Sequence, residues 1–194
     1  MSVKVLLRVD ASSQIGTGHV MRCLTLADAL REQGGECQFV CREHEGHLMG
    51  HIRSRGFEVH PLPTPSENAS FTSELAHARW LGVDWKTDAD QTRQALGSKV
   101  LDWLIVDHYA LDHRWESALR PSSKRIMLID DLADRQHDCD LLLDQNYGSS
   151  AERYRGLVSA DCAQCHGPEY ALLKPVYAER RAQLPARDGQ VRRV

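Results

Sequence analysis

The chain has 194 residues, of which 42% are hydrophobic, and its formal net charge at pH 7 is -3. That length is typical of about one domain with an ordinary buried core. The balance of charges offers no basic surplus for nucleic acid, and no apolar run approaches the roughly 20 residues that span a bilayer. The N-terminus leads directly into a predicted strand, without the apolar segment of a signal peptide, so we expect a cytoplasmic protein.

The first predicted unit is a strand, a glycine-containing turn and a helix. Residues 3–9 form an apolar run rich in β-branched side chains, which is typical of a buried strand in a parallel sheet. Apolar residues then recur every three or four positions over 19–33, and Gly34-Gly35 supplies a stop signal, so this segment is predicted to be a helix. Ligands of open α/β sheets bind outside the carboxyl ends of the strands, where the turn between these elements lies.

His19 is the main candidate for chemistry because this turn places it at the start of the predicted helix. The positive end of the helix dipole disfavours the imidazolium, so it should help to keep the ring neutral and able to accept a proton. Gly16 and Gly18 would let the backbone approach a sugar or a phosphate closely. A glycine turn followed by a histidine that caps its own helix is the structural alternative, and spacing alone does not decide between the two.

Several common cofactor motifs fail here. The third glycine of a dinucleotide-binding G-x-G-x-x-G would fall on Met21, and no Gly-Lys-Ser/Thr of a phosphate loop follows the turn. The segment 162–166, Cys-Ala-Gln-Cys-His, has the spacing of a haem attachment site, which we interpret as coincidental in a protein that is not exported. We expect the six cysteines to be thiols, with no metal and no cofactor, because a structural zinc site needs four ligands.

Strands and helices alternate along the rest of the chain. Strands are predicted at residues 37–41, 57–62, 103–106, 125–129 and 141–143. Helices are predicted at residues 46–55, 84–98 with an Asp84 cap, 112–120, 151–158 and 175–184. Residues 63–82 are predicted to be a loop with room for a turn of helix, and Gly167-Pro168 a turn. The pattern predicts an α/β fold, a Rossmann-like parallel sheet with helices on both faces.

Polar clusters follow three of these predicted strands. They are Asp107-His108-Tyr109, Asp130-Asp131 and Asp144-Gln145-Asn146. The carboxyl ends of parallel strands meet at one edge of the sheet, so these side chains are predicted to face a common cleft. For a single strand-end aspartate, capping a helix or bracing a loop is the commoner role, and this alternative stays open for each of them.

A series of motifs follows along the chain, namely Arg8-x-Asp10, Gly16-x-Gly18-His19-x-x-Arg22-Cys23-Leu24, Asp107-His108-Tyr109, IDDLADRQHDCDLLLDQNYG and GPEYALLKPVY. In this order they resemble the nucleotide-sugar hydrolases of pseudaminic acid synthesis, over essentially the whole chain. The resemblance implies a GT-B-like architecture, in which two Rossmann-like domains face a cleft. Residues 1–184 then correspond to the N-terminal, sugar-side domain. Residues 185–194 correspond to the linker and the start of a UDP-binding C-terminal domain that these 194 residues lack.

The resemblance also implies a reaction and a set of site residues. The family hydrolyses a UDP-linked diacetamido-trideoxy sugar to UDP and free sugar with inversion, and His19 resembles its general base. The implied substrate-binding residues are Asp10, which could also orient His19, then Gly16, Gly18 and Tyr109, with Arg8, Asp107 and Asn146 as weaker candidates. The alternatives are the acceptor-side domain of a GT-B glycosyltransferase and a non-catalytic sugar-binding half. No nucleic acid or membrane partner is expected, and we expect the chain alone to be inactive.

Overall fold

A seven-stranded parallel sheet forms the centre of the protein. The computed structural model describes residues 2–64, 75–184 and 189. The strands are β1 (Lys4–Val9), β2 (Glu36–Arg42), β3 (Glu58–Leu62), β4 (Leu101–Asp107), β5 (Ser123–Ile129), β6 (Leu141–Asp144) and β7 (Ala163–His166). Every neighbouring pair is parallel, and the order is β3-β2-β1-β4-β5-β6-β7. The predicted α/β class and the parallel sheet are confirmed.

Helices cover both faces of this sheet. They are α1 (Gly18–Glu32), α2 (Met49–Ser54), α3 (Trp85–Leu96), α4 (His113–Leu119) and α5 (Pro175–Gln183). Side chains of α1 and α2 share one apolar cluster with the sheet, and side chains of α3 and α4 share a second cluster with it. Because successive strand side chains point to opposite faces, one parallel sheet serves both clusters.

The strand order reverses between β1 and β4. From β1 the sheet continues through β2 to β3 on one side, and from β4 it continues through β5 to β7 on the other. The last residues of the two central strands are in register, with Val9 opposite Asp107. Connections leave such a reversal in opposite directions, which opens a crevice beyond the carboxyl ends of the two strands. The turn that carries His19 follows β1, so it lies at this crevice.

Glycines and an aspartate fix the boundaries of the helices near the crevice. Gly16 has a φ of 79°, which glycine adopts without strain, and its N–H donates to the Ser12 carbonyl at 2.9 Å. At the end of α1, a Cβ on Gly35 would lie 2.9 Å from the Leu30 carbonyl oxygen, so a larger residue does not fit there. The predicted Asp84 cap is confirmed, since its carboxylate accepts two backbone N–H bonds in the first turn of α3.

Several elements differ from the sequence prediction. Strand β7 was not predicted, because it is a short, partly exposed edge strand whose sequence Ala-Gln-Cys-His has no apolar alternation. The helix predicted at 151–158 is a 3-10 helix at Ala151–Tyr154, and the helix predicted at 46–55 begins only at Met49. The turn of helix that the prediction allowed within 63–82 is present as a 3-10 helix at Ala78–Leu81. The linker and the start of a second domain that were expected over 185–194 lie outside the described residues, except for residue 189.

Candidate active site

A cleft of about 550 Å³ opens at the carboxyl ends of β1 and β4. One wall is the turn and first helical residues after β1, including Gly16, Gly18, His19 and Arg22, and Tyr109 after β4 adds a second side. Residues 172–174 and Tyr177 close the opposite side. The sheet therefore brings together four residues that the sequence analysis singled out for function, namely Gly16, Gly18, His19 and Tyr109.

His19 is the second residue of α1, and only 9% of its surface is exposed. Its Nδ1 atom lies 2.6 Å from Oδ1 of Asp107. A ring nitrogen and a carboxylate oxygen at this distance need a proton between them, so Nδ1 donates. Within the described part of the chain, Nε2 of His19 has no hydrogen-bond partner. A neutral ring in this state has an unprotonated Nε2 that can accept a proton.

Asp107 is a buried carboxylate with several donors. Besides His19, it accepts from Nε and from Nη2 of Arg22, both at 2.6 Å, and from the Cys23 thiol at 3.5 Å. Burial alone would raise the pKa of Asp107, but the hydrogen bonds from Arg22 and His19 outweigh it and hold the pKa well below its usual range. Asp107 is therefore ionised at neutral pH. Its negative charge next to the His19 ring opposes the effect of the positive end of the helix dipole, which the sequence analysis expected to act on this ring.

Tyr109 packs against the ring of His19. The two ring centroids are 4.6 Å apart and the rings are nearly perpendicular. The Tyr109 hydroxyl donates to Oδ1 of Asp131, and burial together with this hydrogen bond raises the pKa of Tyr109, so its hydroxyl stays protonated. Asn146 is exposed and donates to Oδ2 of the same carboxylate at 3.2 Å. Asp131 thus connects Tyr109 and Asn146, a role that the sequence did not reveal.

Trp80 is a further aromatic residue of the site that sequence reasoning missed. Its indole stacks on Tyr109 with centroids 5.7 Å apart, and it lies 6.4 Å from the His19 ring. His77 packs against both Trp80 and Tyr109. The segment 63–82 was predicted to be a loop, and no spacing rule connects a loop residue to a strand end that is almost 30 positions away. The only signal in the sequence for their role was the presence of two aromatic side chains, His77 and Trp80, in a loop predicted beside the crevice.

Arg8 and Asp10 lie beneath the cleft, and neither side chain is exposed. Arg8 donates to both Asp10 oxygens, at 2.6 and 2.9 Å, and Asp10 also accepts the backbone N–H of Arg42 at 2.7 Å. The expectation that Asp10 orients His19 needs correction, because Asp107 holds Nδ1 instead. A carboxylate enclosed by its own partners has no face for a sugar hydroxyl, so we leave Arg8 and Asp10 out of the substrate contacts.

Asp88 on α3 completes this buried ion network. It accepts from Arg8 at 2.7 Å, from Nη2 of Arg42 at 2.6 Å and from the Trp115 indole at 2.9 Å. Two arginines and two aspartates balance in charge, which is what allows them to be buried. The network joins β1, β2, α3 and α4, so the Arg8-x-Asp10 motif stabilises the floor below the crevice.

His108 faces the same network. Its Nδ1 accepts the backbone N–H of Ala110 at 3.1 Å, and its Nε2 lies 3.2 Å from Oδ2 of Asp10. An Nδ1 that accepts a hydrogen bond carries no proton, which is the state of a neutral ring. Burial lowers the pKa of His108, and the Asp10 carboxylate offsets this only in part. The histidine of the Asp107-His108-Tyr109 segment is therefore structural.

The Cys-Ala-Gln-Cys-His segment is part of the sheet edge. All six cysteines are free thiols, and Sγ of Cys162 lies 3.6 Å from Sγ of Cys139. His166 is held by Ser149 and Gln164, each at 2.9 Å. In residues 2–64 and 75–184, no group of three or more His, Cys, Asp or Glu side chains is arranged to hold a metal ion.

The comparison with known proteins gives one curated relative. No model of a known protein family matches the chain. The UDP-2,4-diacetamido-2,4,6-trideoxy-beta-L-altropyranose hydrolase of Campylobacter jejuni is 30% identical to it over 173 residues. The match covers 89% of the chain and 52% of the hydrolase, so the chain spans about half the length of its relative. None of the helices in the described residues has the length and apolar character to cross a bilayer.

Proposed function

We propose that the chain is the water-activating half of an enzyme that hydrolyses a UDP-linked diacetamido-trideoxy sugar to UDP and free sugar, in pseudaminic acid synthesis. The observation that carries this proposal is the state of His19, whose Nδ1 is held by Asp107 and whose Nε2 is unpaired beside the cleft. The relative named above supports the choice of substrate. A nucleotide sugar as substrate also leads us to expect a cytoplasmic location.

In the proposed reaction, Nε2 of His19 takes a proton from water while the water oxygen attacks the anomeric carbon. The bond between that carbon and the diphosphate oxygen breaks, and UDP leaves on the opposite face of the sugar, which inverts the anomeric centre. UDP is a good leaving group without protonation, so the enzyme's task is to position and deprotonate the water. One base is then sufficient, whereas inverting glycosidases need two carboxylates. Asp107 stabilises the imidazolium that forms, as the aspartate of a catalytic triad does.

Gly16 and Gly18 are proposed to contact the sugar. Neither the backbone nor packing requires glycine at position 18, since its φ is ordinary and a Cβ there would meet nothing within 4 Å. The space beside it belongs to the cleft. A missing side chain at such a place lets a ligand approach the main chain closely. Tyr109 would form the side of the sugar site, and Asn146 and Asp107 would act through their contacts with Asp131 and His19.

A second α/β half is the proposed partner, and it would bind the UDP group. The 194 residues span about half of their relative. Helix α5, which follows the cleft, has no buried residue, and Leu173, Tyr177 and Leu184 beside or within it are 63%, 61% and 64% exposed. Apolar side chains exposed in a group mark a surface that another body covers. Residues 1–184 would then be the sugar-side domain and 185–194 the linker, and the chain alone would not turn over substrate.

The test is replacement of His19 by Gln in the whole two-domain protein. We expect kcat to fall by about a factor of 100 or more, because general base catalysis contributes about that much. Binding of UDP should be unchanged. His51→Gln, which alters an exposed histidine on α2, is the matched control. Near-normal turnover of His19→Gln would remove His19 as the base.

The products separate hydrolysis from the transferase alternative. Hydrolysis releases free sugar, with inversion visible by NMR immediately after turnover. A sugar joined to an added acceptor, with little free sugar, would instead identify a glycosyltransferase.

A further inference from the structure

Arg22 lies one helical turn after His19 and lines the same cleft. Its side chain is 13% exposed, and it forms a two-pronged contact with Asp107 through Nε and Nη2, each at 2.6 Å. The same Nη2 lies 3.2 Å from Nδ1 of His19. One guanidinium nitrogen and one imidazole nitrogen therefore share a single carboxylate oxygen, Oδ1 of Asp107.

This arrangement couples the position of Asp107 to Arg22. A planar guanidinium fork fixes both oxygens of a carboxylate, which a lysine ammonium does not do. The carboxylate so held presents Oδ1 to the ring from one direction only. Nη1 of Arg22 also lies 3.9 Å from Oδ2 of Asp131, the residue that holds Tyr109. Arg22 thus touches the anchors of both rings that meet in the cleft.

The charge of Arg22 matters as much as its geometry. An uncompensated carboxylate 2.6 Å from Nδ1 would favour the imidazolium, and a protonated His19 cannot accept a proton. A guanidinium 3.2 Å from the same nitrogen opposes that charge. Of the titratable groups that contact His19 or Asp107, Tyr109 and Cys23 stay neutral, since burial raises the pKa of both. His77 packs on Tyr109 without contacting Asp107 among the described bonds.

We propose that Arg22 is a positioning residue that keeps the proton of His19 on Nδ1 and leaves Nε2 open to accept one, acting through Asp107 and through its own charge. The inference rests on the proposed role of His19 as the base and assigns to Arg22 the task of making that base available. This role explains why an arginine, which does not release a proton, lines a cleft whose proposed chemistry is proton transfer.

The experiment is ¹⁵N NMR of the imidazoles in the 194-residue chain, titrated without substrate. The unaltered chain should show His19 with Nδ1 protonated and Nε2 unprotonated when neutral. Arg22→Gln should move the titration midpoint of His19 upward by at least about 0.5 pH unit, because a nearby positive charge is lost. Arg22→Lys retains a charge and should give less than half of that shift. Arg22→Met provides a second neutral variant if the glutamine variant does not fold.

Arg93→Gln is the matched control, because Arg93 pairs with Asp90 on the exposed surface of α3 and neither residue lines the cleft. It should leave the His19 titration unchanged. An unchanged or lowered midpoint in the neutral Arg22 variants, or a proton on Nε2 in the unaltered chain, would overturn the inference. The titration involves no turnover, so it is independent of the kinetic assay of His19→Gln. If His19→Gln is inactive but the His19 midpoint does not respond to the Arg22 substitutions, the hydrolase proposal stands and only the role of Arg22 is rejected.

Discussion

Nδ1 of His19 lies 2.6 Å from Oδ1 of Asp107, although the two residues are 88 positions apart in the chain. They meet because β1 and β4 are neighbours at the point where the strand order reverses. The helix after β1 then starts directly above the last residue of β4. The pairing of His19 with Asp107 is thus a product of sheet topology, and each residue is positioned by a different element.

Asp107→Asn should lower kcat of the two-domain protein by about a factor of 100 or more. The amide can present an N–H to Nδ1, which favours the ring form with its proton on Nε2, and that form cannot act as a base. UDP affinity should be retained. Asp102→Asn, at the opposite end of β4, is the control. Steady-state kinetics with the UDP-sugar checks this, and equal activity of the two variants would contradict the dyad.

Asp88→Asn should reduce the free energy of unfolding by about 3 kcal/mol or more, because removal of one partner leaves buried charge uncompensated. Arg8 and Arg42 both lose the negative charge that they share, and only one of the two accepting oxygens remains. Asp90→Asn, on the exposed side of the same helix, should cost less than about 1 kcal/mol. Urea unfolding of the 194-residue chain measures both. A mild effect of Asp88→Asn would show that the network is not a main source of stability.

The stability of the fold should decrease as the pH falls below about 6.5, and His108 is one cause. Burial lowers the pKa of His108 in the folded chain, so the unfolded chain binds a proton first as the pH drops. The stability that His108 contributes is complete above its pKa in the unfolded chain, and it is lost progressively as the pH falls toward its pKa in the folded chain. Urea unfolding at pH 8, 7, 6 and 5 gives the change of the unfolding free energy with pH. In His108→Gln this change should be smaller between pH 8 and pH 5, and an identical change would exclude His108 as a cause.

A second, steeper loss of stability is expected below about pH 4, where aspartates in the unfolded chain become protonated. The carboxylates of Asp10 and Asp107 have pKa values held well below the usual range against the opposing effect of burial. Their contribution is present above the unfolded pKa and disappears as the pH falls toward the folded one. Asp107→Asn should show a shallower decline from pH 5 to pH 2 than the unaltered chain, as measured by thermal unfolding.

Gly18→Ala should raise KM for the UDP-sugar without destabilising the fold. The added methyl group meets no protein atom within 4 Å, and alanine is a better helix former than glycine, so stability should be equal or higher by up to about 1 kcal/mol. The methyl group would occupy the space proposed for the sugar. Gly50→Ala on α2 has equally open surroundings away from the cleft and serves as the control. Equal KM values for the two variants would remove Gly18 from the contact surface.

Calorimetry of the 194-residue chain with UDP should show no measurable binding. The proposed nucleotide site belongs to the second half, and in the same proposal the cleft at the carboxyl ends of β1 and β4 binds the sugar. Clear binding of UDP by the chain alone would place the nucleotide site in this half and reverse the assignment of the two halves.

The sequence predicted the elements whose signals are local. The turn that carries His19, the glycine stop after α1 and the Asp84 cap each depend on neighbours within a few residues, which periodicity and turn chemistry describe. The parallel sheet followed from the alternation of strands and helices. Strand β7 was missed because an edge strand with one half-exposed face has no repeating apolar pattern.

The partners within the site were less predictable because they depend on how distant elements pack. Two aspartates, Asp10 and Asp107, end neighbouring strands, and the sequence did not show which of them faces the ring. The structure places Asp107 there and encloses Asp10 between arginines. Trp80 and Asp131 contact Tyr109 from segments whose direction no spacing rule determines.

An all-parallel sheet also affects how this site comes into being during synthesis. In a parallel sheet, a strand can pair with its neighbour only after the whole crossover between them has been synthesised. The central pair joins β1 to a strand about a hundred residues later, as shown by the hydrogen bond between Lys4 and Asp102, which are 98 positions apart. Contacts over such distances slow folding. A nascent chain that ends before residue 107 therefore contains His19 but not the carboxylate that holds its Nδ1, and the ribosome has to pass the midpoint of these 194 residues before the pair can assemble.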